Sequence, residues 1–212
     1  MRDSIRRFVS YLSRHGVGAT AGRIALSWQH FRAGNRFVIY CCRLQEVQSV
    51  DDGLLQGCRI ERRNTQAEIP PDDLSRLETN WAPAIVRRQM AERFGRGASW
   101  WEFKSGEKLA GYGWTLAGGT MEPHFFPLQP DDVHLFDFLV FPEFRGRRIN
   151  PLLVNFILGR LKLEKKDRAF IEAAEWNVPQ LSSLGRTPFR LVGKASIRRR
   201  PGQTLVKWSS PQ

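Results

Sequence analysis

Histidine and cysteine are scarce in this 212-residue chain, which has four of the first and three of the second. Cys41, Cys42 and Cys58 are an odd number without metal-ligand spacing. Adjacent Cys41 and Cys42 would point to opposite faces of a strand, so neither a disulfide framework nor a metal site is expected, and a reducing cytoplasm is the simpler setting. No stretch approaches the roughly 20 apolar residues that span a bilayer. The N-terminus has arginines but lacks the apolar h-region of about 7–15 residues that marks a secretory signal. Repeats and low-complexity tracts are missing. So are helix-turn-helix, zinc and aromatic RNA-binding motifs, which disfavours nucleic acid as a partner despite the charge.

That charge is +12 overall, and it is terminal. Residues 1–50 carry eight arginines against two acids, and residues 186–212 carry seven basic residues and no acid. The stretch between them holds 18 basic and 19 acidic residues and is nearly neutral. A basic surface attracts phosphates of any origin. Within the N-terminal part, Ile5, Phe8, Val9 and Leu12 recur at helical spacing, with Arg6, Arg7 and Arg14 off the stripe. Such a helix would pack on its own domain, on a homodimer partner, or on an anionic membrane surface.

Apolar content of 42% and charged content of 25% allow a sizeable core. Residues 1–45 read as a basic appendage, with helices near 2–13 and 19–31 and a strand at 36–44. After a polar stretch, residues 58–208 read as the main domain: a strand at 58–62, helices at 72–80 and 83–94, and a hairpin at 99–104 and 109–116. A dense apolar strand at 133–141, a helix at 150–165, a strand at 169–174, a short helix at 179–185 and strands at 191–198 and 203–208 complete it. The order implies an α+β domain with a mixed sheet. A long loop with His124, Phe125 and Phe126 precedes the apolar strand, and such loops often cover a ligand.

The most specific segment is Phe138-Leu-Val-Phe-Pro-Glu-Phe-Arg-Gly-Arg-Arg-Ile-Asn-Pro151. Pro142 ends the strand, and Asn150 followed by Pro151 reads as a cap and first helical position. Unpaired amides and the positive dipole end of a helix start form an anion site, and Arg145, Arg147 and Arg148 add guanidiniums suited to phosphate. Here the sequence resembles the GNAT superfamily, whose signature is a valine–x–proline strand end, then Arg-Gly-x-Gly-x-Gly and a helix. The chain has Val140-Phe-Pro142 and Arg145-Gly-Arg-Arg-Ile-Asn150. A second match is Asn177 with Pro188-Phe189 at the spacing of the family's asparagine and Gly-Phe.

The resemblance, over residues 58–208, implies a mostly antiparallel sheet of six to seven strands flanked by helices. It also implies an acyltransferase that moves an acetyl or other acyl group from acyl-CoA to the amine of a small molecule, such as an amino-sugar or amino-acid derivative. Leu139, Val140, Arg145, Gly146, Arg147, Arg148, Ile149, Asn150 and Asn177 would contact acetyl-CoA or another acyl-CoA. Two departures stand out: Arg148 and Asn150 replace the later glycines, and Leu184 falls where the family often has a thiolate-protonating tyrosine. Ser183 is the neighbouring hydroxyl. A non-catalytic acyl-CoA-binding protein is the alternative.

Asp137 is the first candidate for base or substrate anchor, because an apolar strand would raise a carboxyl toward a useful range. Glu102 and Glu175 are further catalytic candidates, with His134 and Glu172 behind them. Trp114, between small residues, is expected in the core or on an acceptor pocket.

Overall fold

The computed structural model describes residues 36–48, 57–121, 128–200 and 203–209. The expected helices at 2–13 and 19–31 and the aromatic loop at 124–126 lie outside these residues. The strands are β1 (Arg36–Arg43), β2 (Cys58–Arg63), β3 (Ser99–Ser105), β4 (Lys108–Ala117), β5 (Asp132–Val140), β6 (Arg168–Ala174), β7 (Arg190–Arg200) and β8 (Gln203–Ser209). The helices are α1 (Pro71–Asn80), α2 (Pro83–Gly95), α3 (Ile149–Leu163) and α4 (Val178–Leu184). Among the described residues, no helix is long and apolar enough to cross a membrane.

All eight strands form one sheet in the order β2-β3-β4-β5-β6-β1-β7-β8. Every pairing is antiparallel except β5 with β6. The expected six or seven strands become eight because β1, assigned from sequence to an N-terminal appendage, lies inside the sheet between β6 and β7. Its physical signature is consecutive buried Val38 and Ile39, a run apolar on both faces as an interior strand requires.

Prolines at the first position open α1 and α2, where the missing N–H costs nothing. Asp72 and Asp73 occupy the first turn of α1. Asp73 reaches Lys104 Nζ on β3 at 2.7 Å, both side chains buried, which pins α1 to the sheet. Trp100 and Trp101 take opposite faces: Trp100 packs with Tyr112 and Trp114, and Trp101 meets Phe156 of α3 at 6.4 Å. Leu153, Val154, Ile157, Leu158 and Leu161 of α3 are all buried. At about 1.5–3 kcal/mol for each buried large aliphatic side chain, α3 is the main anchor of that layer.

Both edges of β5 are irregular. Its parallel pairing with β6 runs only from Asp132↔Arg168 to Leu135↔Ile171, while β5 continues to Val140 and β6 continues along β1. The two strands therefore part, leaving one edge of residues 136–140 without a strand partner among the described residues. On the other edge, the β4 register shifts between Tyr112 and Trp114, so Asp137 and Phe138 together face Gly113. The Phe138 ring lies where a Cβ at Gly113 would stand, so any larger residue there would have to displace the ring.

Candidate functional site

The first half of the site is the turn into α3. A short 3-10 turn (Pro142–Phe144) follows β5, and Gly146 (φ 79°) and Arg148 (φ 58°) then adopt left-handed backbone. The helix begins at Ile149 with Arg148 as its cap and no side-chain capping bond, which corrects the expectation that Asn150 caps it. The first amide satisfied by the helix is that of Leu152, donating to the Arg148 carbonyl at 3.2 Å. Among the described residues, none accepts a hydrogen bond from the amides of Gly146, Arg147, Arg148, Ile149 or Asn150. Five free donors at a helix start form a positive nest suited to an anion.

Side chains leave this nest open. Arg145 Nε donates to the Val140 carbonyl at 3.3 Å, and Arg147 lies over the Phe144 ring at 5.5 Å. Asn150 turns away and donates through Nδ2 to Gln180 Oε1 at 2.9 Å and Ser183 Oγ at 3.0 Å. Asn177 caps α4 by accepting from the Gln180 amide at 3.3 Å. Three residues expected at the cofactor are thus gathered: Asn150 reaches Ser183 directly and Asn177 through Gln180, a residue with no signal of its own in the sequence. Asn150 Oδ1 is buried and accepts no hydrogen bond among the described residues. Leu184 is fully buried in the core, so no hydroxyl stands at that position.

Between turn and sheet lies the open edge of β5, with Leu139 and Val140 half-buried. The Phe141 amide donates to Ala110 on the β4 side at 3.0 Å. Strand alternation then turns the Val140 N–H and C=O toward the parted edge. An extended, amide-bearing arm can lie there as an added strand, as peptides do at sheet edges.

The second half is a cavity of about 270 Å³ between α1, α2 and β3–β5. Leu77, Ile85, Val86 and Met90 face the aromatic rings of Trp81, Trp100, Tyr112 and Trp114 across it, with Gln89, Arg93 and Asp137 as its polar groups. Asp137 is the outlier of its strand, with φ 50°, and the bulge turns its carboxylate into the cavity, where Arg93 Nη1 stands 2.5 Å from Oδ2. Arg93 also lies over Trp114 at 5.0 Å and Phe136 at 5.5 Å. Burial pushes the Tyr112 phenol well above its ordinary range, and the Asp137 charge adds to this, so Tyr112 stays protonated. Trp100 Nε1 is buried with no acceptor.

Of the three catalytic candidates, only Asp137 lines this cavity. Glu102 is fully buried on β3 and held by Arg63 at 2.6 Å. Burial raises its carboxyl above the usual range while Arg63 opposes the rise. Glu175 pairs with Lys194 at 2.7 Å beyond the end of β6, and that bond lowers its carboxyl. Neither is brought to Asp137. His134 Nε2 lies 2.6 Å from Glu172 Oε2, with the imidazole stacked on Phe136. Trp114 is buried in the core and lines the cavity. Arg93, Trp81 and Tyr112 are not among the site residues expected from sequence. The legible signal is the α2 series Val86, Met90, Arg93, which places an arginine on the buried stripe.

No protein-family model and no curated protein sequence matches the chain. Solved structures do. A GNAT-family acetyltransferase from Colwellia psychrerythraea superposes with TM-score 0.53 at 11% identity, covering 83% of this chain and 56% of that one. A GNAT-family protein from Novosphingobium aromaticivorans gives 0.51 at 14% identity, covering 76% and 61%. A tandem GNAT protein of the clavulanic acid biosynthesis pathway gives 0.51 at 15%, covering 84% and 55%. The chain thus spans about three fifths or less of the length of these proteins. It has the GNAT fold, an α+β architecture with a mostly antiparallel sheet.

Proposed function

We propose that the protein is an acyl-CoA-dependent acyltransferase that acylates the amine of a small molecule. The observation that carries this reading is the row of free amides from Gly146 to Asn150 beside a strand edge opened by the parting of β5 and β6. These features fit an acyl-CoA: five donors and the positive end of α3 for a diphosphate, and the Val140 edge for a pantetheine arm. Arg148 adds a guanidinium at the cap. The bound thioester supplies the activated acyl group.

The chain's own residues do the rest. The cavity seats the amine, and Asp137 attracts the ammonium and can take its proton before attack. The Val140 N–H, turned to the open edge, can donate to the carbonyl oxygen as negative charge develops there. The new C–N bond replaces the thioester C–S bond, and the departing sulfur leaves as a thiol once it has gained a proton. Leu184 cannot give that proton, which leaves solvent or the Ser183 hydroxyl as its source.

The same buried Leu184 favours a second reading, an acyl-CoA binder without turnover. One assay separates them: thiol release from acetyl-CoA with a panel of small amines. Release that depends on the amine is expected. Protection of the protein against melting by acetyl-CoA, without release for any amine, would select the binder, and neither effect would remove both readings.

A further inference from the structure

The cavity also carries information about the acceptor. We infer that it selects a free α-amino acid with an apolar side chain, its ammonium on Asp137 and its carboxylate on Arg93; this rests on the acyltransferase reading for its chemistry but not for its binding.

Charge decides first. Asp137 and Arg93 are paired at 2.5 Å, so the cavity holds one charge of each sign. A polyamine offers only cations and would leave Arg93 without its carboxylate partner. A zwitterion satisfies both groups at once, replacing one internal ion pair by two. Arg93 is built to survive the exchange. Its guanidinium rests on Trp114 and Phe136, at 5.0 and 5.5 Å from their ring centres, so it keeps its place when Asp137 turns to a ligand.

Wall chemistry decides next. Apart from the ion pair, Gln89 is the one lining residue with a wholly polar side-chain end, and the others are aliphatic, sulfur-bearing or aromatic. The ring of hydroxyls on an amino-sugar would face Leu77, Ile85, Val86 and Met90, where each unpaired hydroxyl is costly. An aliphatic or aromatic side chain suits those walls. Size agrees, since a cavity of about 270 Å³ has room for an amino acid. The acylation forms an amide at the α-nitrogen and breaks the thioester C–S bond, and the proton lost by the ammonium passes first to Asp137.

The test uses the full chain and two readouts. Tryptophan fluorescence without CoA reports the cavity directly, because Trp81, Trp100 and Trp114 line it. L-leucine should bind more tightly than leucinamide, which lacks the carboxylate, by on the order of ten- to a hundredfold. Spermidine and glucosamine should bind more weakly than L-leucine. Arg93→Gln should abolish the preference for leucine over leucinamide, and Arg93→Lys should keep part of it. Equal binding of leucine and leucinamide, or preference for spermidine or glucosamine, overturns the inference; these ligand arms decide it even where a variant fails to fold.

Melting with CoA is read separately. A CoA shift without a leucine preference overturns the acceptor class and leaves acyl transfer standing. A leucine preference without a CoA shift supports the pocket reading and removes acyl transfer.

Discussion

Asp137 and Arg148 are both non-glycine residues in left-handed backbone, at φ 50° and 58°, and each sits in one half of the site. Such a conformation costs an L-residue about 1–2 kcal/mol, and surrounding structure must enforce it. At Asp137 the enforcement is the bulge opposite Gly113. Asparagine tolerates this backbone, so Asp137→Asn should fold normally while losing the proton acceptor. A drop in kcat/KM of about 10²–10⁴-fold, with little change in melting temperature, is the expected outcome in the thiol-release assay. At Arg148 stability and binding should move in opposite directions. Arg148→Gly should raise unfolding free energy in urea by about 1 kcal/mol, while weakening CoA in a calorimetric titration through the lost guanidinium. Asp137 stands out in sequence as a lone acid in an apolar strand. Its bulge does not, because a bulge is a property of two strands in register and leaves little trace in one. Arg93 is easily passed over in sequence because a helix charge is ordinarily solvent-facing, and only its place on the stripe of Val86 and Met90 marks it.

Elements are legible in the sequence wherever period and punctuation agree. The α3 segment, apolar and opened by a proline-ended strand and an arginine-rich turn, matches its sequence-based range to within one or two residues at each end. Its first residue is displaced because Asn150-Pro151 resembles a cap, whereas Asn150 is drawn into the contact with α4. Ile157, fully buried under the sheet, tests the weight of this helix. Ile157→Ala should cost about 2–5 kcal/mol by urea unfolding. The strand β1 is recognisable as a strand, but its place inside the domain is not. Strand order in a sheet is not chain order, and nothing local says that residues 36–43 slot between β6 and β7. A chain starting at Gln45 should therefore lose cooperative melting by circular dichroism, because β6 and β7 would each lose their antiparallel neighbour. Retention of the full-length transition would restore the appendage reading.

For the molecule as a whole, composition bounds the class and the motifs locate the turn of free amides, yet the aromatic cavity belongs to neither. It exists only where two helices meet three strands. Stability carries its own pH signature. Burial pushes the Cys41 thiol up to about 11 and the Cys42 thiol up to about 12, from an ordinary 9.0. Below that ordinary value both thiols are neutral, folded or unfolded. As pH rises through this window the unfolded chain ionises first, so the contribution to stability is lost. Urea midpoints taken near pH 8.5 and 10.5 should fall less for a Cys41→Ser, Cys42→Ala variant than for the parent.

Acyl transfer by this fold requires that the Gly146–Asn150 amides grip a diphosphate beside the open edge of β5. Titration calorimetry of CoA against pantetheine, which has the arm without the diphosphate, tests it most directly. CoA is expected to bind, pantetheine to bind at least about tenfold more weakly, and the difference to shrink as salt rises. Equal binding of the two, or no binding of CoA, would contradict it.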